Sequence, residues 1–228
     1  AVQAVGGSYE LLFNGVDLSA YSGALTMAPQ PRTILFLGRH EPRKGLEVLL
    51  QAHATLPDNV DLWIASEGPE TERLKREWAG DSRIMWLGRI SDAEKAKRLS
   101  QADVFCAPSL GGESFGVVLI EAMAAATPIV ASALDGYMNV ATHEVDALLV
   151  EPNDPTALEA ALRRILLDQE LAHRLVRHGQ ERATGFSMVQ LASTYVDIYR
   201  RVIAEAQNRP SRRERVRRFL NRERPLTA

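Results

Sequence analysis

"DVFCAPSLGGESFGVVLIEAM" (103–123) contains in succession an apolar run, a glycine-bearing loop and a helical stretch. The run "DVFCAPS" (103–109) is short and continuously apolar, which suits a strand buried on both faces. The glycines allow the backbone to approach a neighbour or a ligand closely, and a helical pattern follows over 115–126. Glu121 lies in that helix among Val117, Val118, Leu119, Ile120, Ala122 and Met123. An unpartnered buried carboxylate costs on the order of several kcal/mol. Either a neighbour in the fold or a ligand must satisfy it, and an arginine in the core is the ordinary structural answer.

Working outward, the same alternation recurs. "TILFLG" (33–38), "VDLWIAS" (60–66), "RIMWLG" (83–88), "PIVAS" (128–132) and "ALLVEP" (147–152) read as further buried strands. Helical patterns over 44–55, 70–79, 92–101 and 155–168 separate or follow them, and 170–207 reads as two helices split near "GFS" (185–187). Strand–helix alternation with continuously apolar strands predicts an α/β fold, a doubly wound parallel sheet of Rossmann type with a helical C-terminus. Caps agree: "SDAE" (91–94) has the capping-box pattern, and Asp154 precedes Pro155 at the start of a helix.

At 228 residues, 46% apolar and 25% charged, the chain can build a full core. No run reaches the roughly 18 uninterrupted apolar residues of a membrane span. Cys106 is the single cysteine and cannot form a disulfide within the chain, which suits a buried thiol in a reducing cytoplasm. The opening "AVQAVGGSYE", without Met or a basic start, leads us to expect a fragment or a processed product. Residues 209–228 hold eight Arg and two Glu, a charge of +6, which leaves −8 for the rest of a chain of net charge −2. Two readings of this tail stay open: a solvated segment, or a patch for an anionic membrane at about 1 kcal/mol per Arg. Nucleic acid is disfavoured, since no aromatic platforms accompany the arginines.

Ligands of such folds sit outside the carboxyl ends of the strands. After the first strand comes "GRHEPRKG" (38–45), where Arg39 leaves the strand tip and Arg43 and Lys44 open the next helix. Cations and free backbone N–H groups at one spot suit an anion of about two charges. "PSLGGESFG" (108–116) offers a second cradle, with Glu113 before the helix and Glu121 inside it, both able to face one crevice. Carboxylates there suit paired sugar hydroxyls. "LGRISDAEK" (87–95) ends at a helix start where Asp92 can accept from a purine edge, which favours guanine. There is no G-x-G-x-x-G after a strand, no GxxxxGK[ST] and no nucleophile elbow, and the five histidines lack metal-ligand spacing.

Taken in order, "FLGRHEPRKG", "LGRI", "CAPS…GGESFG…EAMAA", "VASALDGY" and "LLVEPNDP" resemble the C-terminal, donor-binding half of family-4 retaining glycosyltransferases of the GT-B fold. Within that family the look is closest to actinobacterial phosphatidylinositol α-mannosyltransferases, through "EPRKG" and "GGESFGVVLIEAMAA". The resemblance implies a nucleotide-sugar donor, GDP-mannose ahead of a UDP-sugar, with no cofactor and no catalytic metal. It implies that Arg39 and Lys44 hold the diphosphate, aided by the backbone of Gly112, Glu113, Ser114, Phe115 and Gly116, with Gly38 and Arg43 also in the donor site. Glu113 would hold the transferred sugar, Glu121 the ribose, and Ile90, Asp92 and Lys95 the guanine; Glu113, Arg39 and Lys44 would be the catalytic set. It further implies a missing N-terminal acceptor domain as partner and a lipid-linked or polyol acceptor such as phosphatidylinositol. The expected division is 1–29 linker and remnant, 30–185 donor domain, 186–207 a helix packing back toward the missing domain, and 208–228 a disordered tail. The expected location is the cytoplasm, peripheral to the inner face of the plasma membrane if the tail meets lipid. Ala126 and Ala147 stand where the pattern has Gly, so left-handed backbone at either would cost about 1–2 kcal/mol. A stand-alone nucleotide-sugar-binding module, or an inactive fragment, remains the alternative reading.

Overall fold

The computed structural model describes residues 12–21 and 32–208. Among them six strands, β1 (Arg32–Leu37), β2 (Val60–Ala65), β3 (Ile84–Gly88), β4 (Val104–Ala107), β5 (Ile129–Ser132) and β6 (Leu148–Val150), form one sheet in the order β3-β2-β1-β4-β5-β6. Every pairing is parallel. The period of two explains why the strand sequences look uniformly apolar. Ile34, Phe36, Leu62, Ile64, Val104 and Cys106 point into one core, while Leu35, Phe105, Ala107 and Ile129, out of step with them, point into the other. The rule relaxes toward the β3 edge: Asp61 and Trp63 on β2 are half-buried, and Met85 on β3 is half exposed.

The helices are α1 (Leu46–Ala54), α2 (Thr71–Glu77), α3 (Asp92–Gln101), α4 (Val117–Ala124), α5 (Asp135–Met138), α6 (Pro155–Leu167), α7 (Gln169–Thr184) and α8 (Met188–Asn208). α1 and α6 cover one face; α3 and α4 cover the other. Asp154 and Asp168 cap α6 and α7, accepting from Ala157 N and Leu171 N at 2.9 Å each. The linker "NGVD" (14–17) docks at the α7–α8 joint, where Val16 N donates to Phe186 O and Met188 N to Val16 O. The expected tail lies outside the described residues, as do the first eleven positions.

Several local expectations change. The first helix does not open on Arg43 and Lys44: Pro42–Lys44 is a separate 3₁₀ turn closed by Gly45 at φ 68°, and α1 starts after it. The capping box is half formed. Ser91 Oγ accepts from Glu94 N at 3.2 Å, but the Glu94 carboxylate turns forward to Arg98 Nε at 2.7 Å, an i,i+4 ion pair that outcompetes the reach back. α5 was not expected, being only four residues long. Of the two suspect alanines, Ala126 has φ 60°, whereas Ala147 is not among the described residues with positive φ. Ala126 occupies C′ of a Schellman motif: its N–H donates to Met123 O, and Thr127 N–H to Ala122 O.

The strand order reverses between β1 and β4, so the crevice at their carboxyl ends is the switch point where such folds bind ligands. Its two loops are clamped together. A Cβ on Gly45 would lie 1.9 Å from Pro108 O, and Leu110 N donates to Arg43 O at 2.7 Å.

Three outcomes follow for urea unfolding. Gly45→Ala should lose about 2–4 kcal/mol from strain and the carbonyl clash, while Ala126→Gly should gain about 0.5–1 kcal/mol. Burial holds buried His40 and His53 below the ordinary histidine range. An unfolded histidine titrates near pH ~6.5, so below that pH the unfolded chain binds more protons and stability falls toward the depressed folded values. The urea midpoint should therefore drop between about pH 7.5 and 5.5; an unchanged midpoint would contradict the assignment.

Candidate functional site: a switch-point crevice with two self-paired carboxylates

Both helices that open on the crevice, α1 and α4, start from glycines in left-handed backbone, Gly45 and Gly116 (φ 93°), without a side-chain cap. First-turn N–H groups are thus left to water or a ligand. Gly112 (φ 72°) helps turn the loop between them.

The sequence-predicted residues fall into two clusters. In the first, Lys44 Nζ lies 2.5 Å from Glu113 Oε1, with Arg43 Nη1 at 3.6 Å from the same oxygen. Arg39 and Arg43 both reach Glu41, at 3.1 and 3.0 Å. Arg39 is 66% exposed and paired to Glu41, whereas Glu113 is 12% exposed and held by Lys44. Gly38 lies beside the Phe36 ring and the Lys44 stem.

In the second cluster Lys95 Nζ lies 2.7 Å from Glu121 Oε1 and 3.3 Å from Asp92 Oδ1. Glu121 is 13% exposed and Asp92 99%. The carboxylate that needed a partner has one, a lysine in place of the arginine expected of a core pair. Burial opposes the Lys95 charge, but the Glu121 hydrogen bond and charge outweigh it and raise its pKa. Burial, with Glu121 next, pushes the Tyr21 phenol up to about 12. Tyr21, Asp92, Lys95 and Glu121 line a cavity of about 350 Å³, and Tyr21 and Asp92 also border a second of about 570 Å³.

The remaining candidates differ in posture. Ile90 is half-buried before α3 and Ser114 is exposed. Phe115 is buried, stacked on Phe13 at 5.1 Å and edge-on to Phe186, so only its backbone can serve the crevice. Sequence reasoning missed four residues at these clusters: Glu41, Ser109, Tyr137 and Tyr21. Glu41 sits inside the loop 38–45 and Ser109 follows a strand, the very places to look; Tyr137 and Tyr21 are joined to the site only by the folded chain. Among the described residues no group of His, Cys, Asp and Glu could hold a metal ion, and no helix is long and apolar enough to cross a membrane.

Comparison with known proteins meets this geometry. Residues 21–182 match the family described as glycosyl transferases group 1. The chain belongs to that family. It is 41% identical over 212 residues to a phosphatidyl-myo-inositol mannosyltransferase of Mycobacterium leprae, covering 88% of this chain and 56% of the relative. The sucrose-phosphate synthase structure from Thermosynechococcus elongatus superposes with TM-score 0.78 at 32% identity, over 88% of this chain and 54% of that one. The Anabaena HepE structure in complex with UDP and glucose gives TM-score 0.76 at 21% identity, over 87% and 59%, and shows the shared fold. The chain thus spans little more than half the length of these relatives.

A double-mutant cycle of Lys95→Met and Glu121→Gln, read by urea unfolding, should return a coupling of about 1–2 kcal/mol. Additive losses would mean that the pair is not formed in solution.

Proposed function

We propose that the chain is the donor-binding half of a retaining hexosyltransferase that moves mannose from GDP-mannose to a lipid-linked or polyol acceptor such as phosphatidylinositol. One observation carries the reading: a chain 41% identical to a phosphatidyl-myo-inositol mannosyltransferase brings Arg39, Lys44, Glu113 and Glu121 to the switch-point crevice.

In this reading Arg39, Arg43 and Lys44 take the diphosphate, together with the open N-termini of α1 and α4. Developing negative charge on the leaving phosphate is met by fixed cations and dipoles, an electrostatic role that needs no metal and no cofactor. Glu113 accepts from hydroxyls of the transferred sugar and Glu121 from the ribose, while Ile90, Asp92 and Lys95 lie toward the base. The C1–O bond to phosphate breaks, a C1–O bond to the acceptor forms on the same face, and the acceptor proton passes to the leaving phosphate. Acceptor groups come from the part of the relatives that this chain does not span, so turnover requires that part. α8, with Val189, Tyr199, Val202 and Ile203 exposed, is the surface for it. Membrane contact through the Arg-rich tail at the inner face of the plasma membrane completes the proposal. HepE, with UDP in its site, favours a uridine donor as the second reading.

Calorimetric titration of the 228-residue chain with GDP and UDP tests both. We expect micromolar GDP binding, weaker UDP binding, and about a tenfold or greater loss in Glu121→Ala, the scale of a hydrogen bond to a charged group. Preference for UDP would support the second reading, and binding of neither would overturn both.

A further inference from the structure

Glu113 is held by more than Lys44. Ser109 Oγ donates to Glu113 Oε1 at 3.0 Å, and the same hydroxyl lies 3.0 Å from Tyr137 Oη. Ser109 and Tyr137 are each 2% exposed, so both hydroxyls must find partners inside the protein. A hydroxyl has a single proton. Ser109 gives its own to the carboxylate, so Tyr137 must be the donor to Ser109. The direction of the chain is thereby set: Tyr137 O–H to Ser109 O–H to Glu113, with Lys44 meeting the same carboxylate oxygen.

The backbone allows Tyr137 little freedom. A Cβ on Gly136 would lie 2.0 Å from Glu113 O, and one on Gly116 would lie 2.7 Å from the Tyr137 ring. α5 therefore meets the loop 113–116 backbone to backbone at Gly136, and the Tyr137 ring packs on the backbone of Gly116. Lys44, Arg43 and Ser109 all meet Glu113 at Oε1, and among the described residues no side chain is seen to meet Oε2. Oε1 is thus the anchored oxygen of the pair.

We propose that Ser109 and Tyr137 are positioning residues, a buried two-hydroxyl relay that anchors Glu113 through Oε1 and leaves Oε2 to accept from hydroxyls of the transferred sugar. The inference rests on the donor reading above for the identity of the ligand. It adds that the sugar contribution to binding depends on two side chains that never touch the donor.

The test is titration of GDP and GDP-mannose into the full chain, its Tyr137→Phe and Ser109→Ala variants, paired with ¹³C side-chain carboxyl spectra of the ligand-free proteins. Tyr137→Phe keeps the ring that fills the space beside Gly116, so its fold is retained. We expect GDP affinity within about twofold of the parent and GDP-mannose weaker by about three- to tenfold, the range of one lost hydrogen bond. In the free proteins the Glu113 resonance should move while that of Glu144, paired to Arg164 elsewhere, stays. Unchanged GDP-mannose affinity with an unmoved Glu113 resonance would overturn the relay. Should the parent chain bind neither nucleotide, the donor reading falls by itself and the Glu113 resonance alone decides: moved, the relay stands; unmoved, it is gone.

Discussion

The close approach of Gly45 to the Pro108 carbonyl is the constraint on which the crevice depends. Two parallel strands, β1 and β4, end side by side where the order of the sheet reverses, and their following loops would diverge unless something held them together. Only a residue without Cβ permits the contact, and the left-handed backbone of Gly45 also ends the 3₁₀ turn that carries Arg43 and Lys44. The cation loop and the glycine loop with Glu113 thereby become one surface. Packing and charge placement here share a single cause.

That surface is self-satisfied in the free chain. Lys44 and Lys95 each neutralise a carboxylate that is nearly nine-tenths buried, which removes the penalty either charge would carry alone. In the proposed reading one ligand replaces both pairings at once: phosphate takes the place of carboxylate at Lys44, the base lies toward Lys95, and hydroxyls take the place of ammonium at Glu113 and Glu121. Phosphate without hydroxyls would leave carboxylates unpaired, and a neutral sugar would leave ammonium groups unpaired. Self-pairing of this kind lowers the cost of burying the two carboxylates in the free chain and, in the proposed reading, favours a ligand that carries both functions.

Much of the fold was legible because sheet burial on both faces writes short apolar runs at the strands, while the long helices show the helical spacing of one buried stripe. α5 escaped because four residues cannot show a period, although Gly136 and Tyr137 shape the Glu113 loop. The need of Glu121 for a partner was legible from its apolar surroundings; which partner was not, since Lys95 is 26 positions away and reaches it only through the packing of α3 on α4. The suspicion attached to Ala126 was correct because a Schellman turn demands a left-handed residue there; the same suspicion at Ala147 failed because no such turn follows. Ser109 and Tyr137 are 28 residues apart and meet only in the folded chain.

The structure of the chain bound to GDP-mannose tests the central claim most directly. The account predicts the diphosphate between loops 38–45 and 112–116, ribose hydroxyls at Glu121, and Lys44 and Lys95 drawn off their carboxylates together. A donor seated elsewhere, or seated in the crevice with both ion pairs intact, would contradict it.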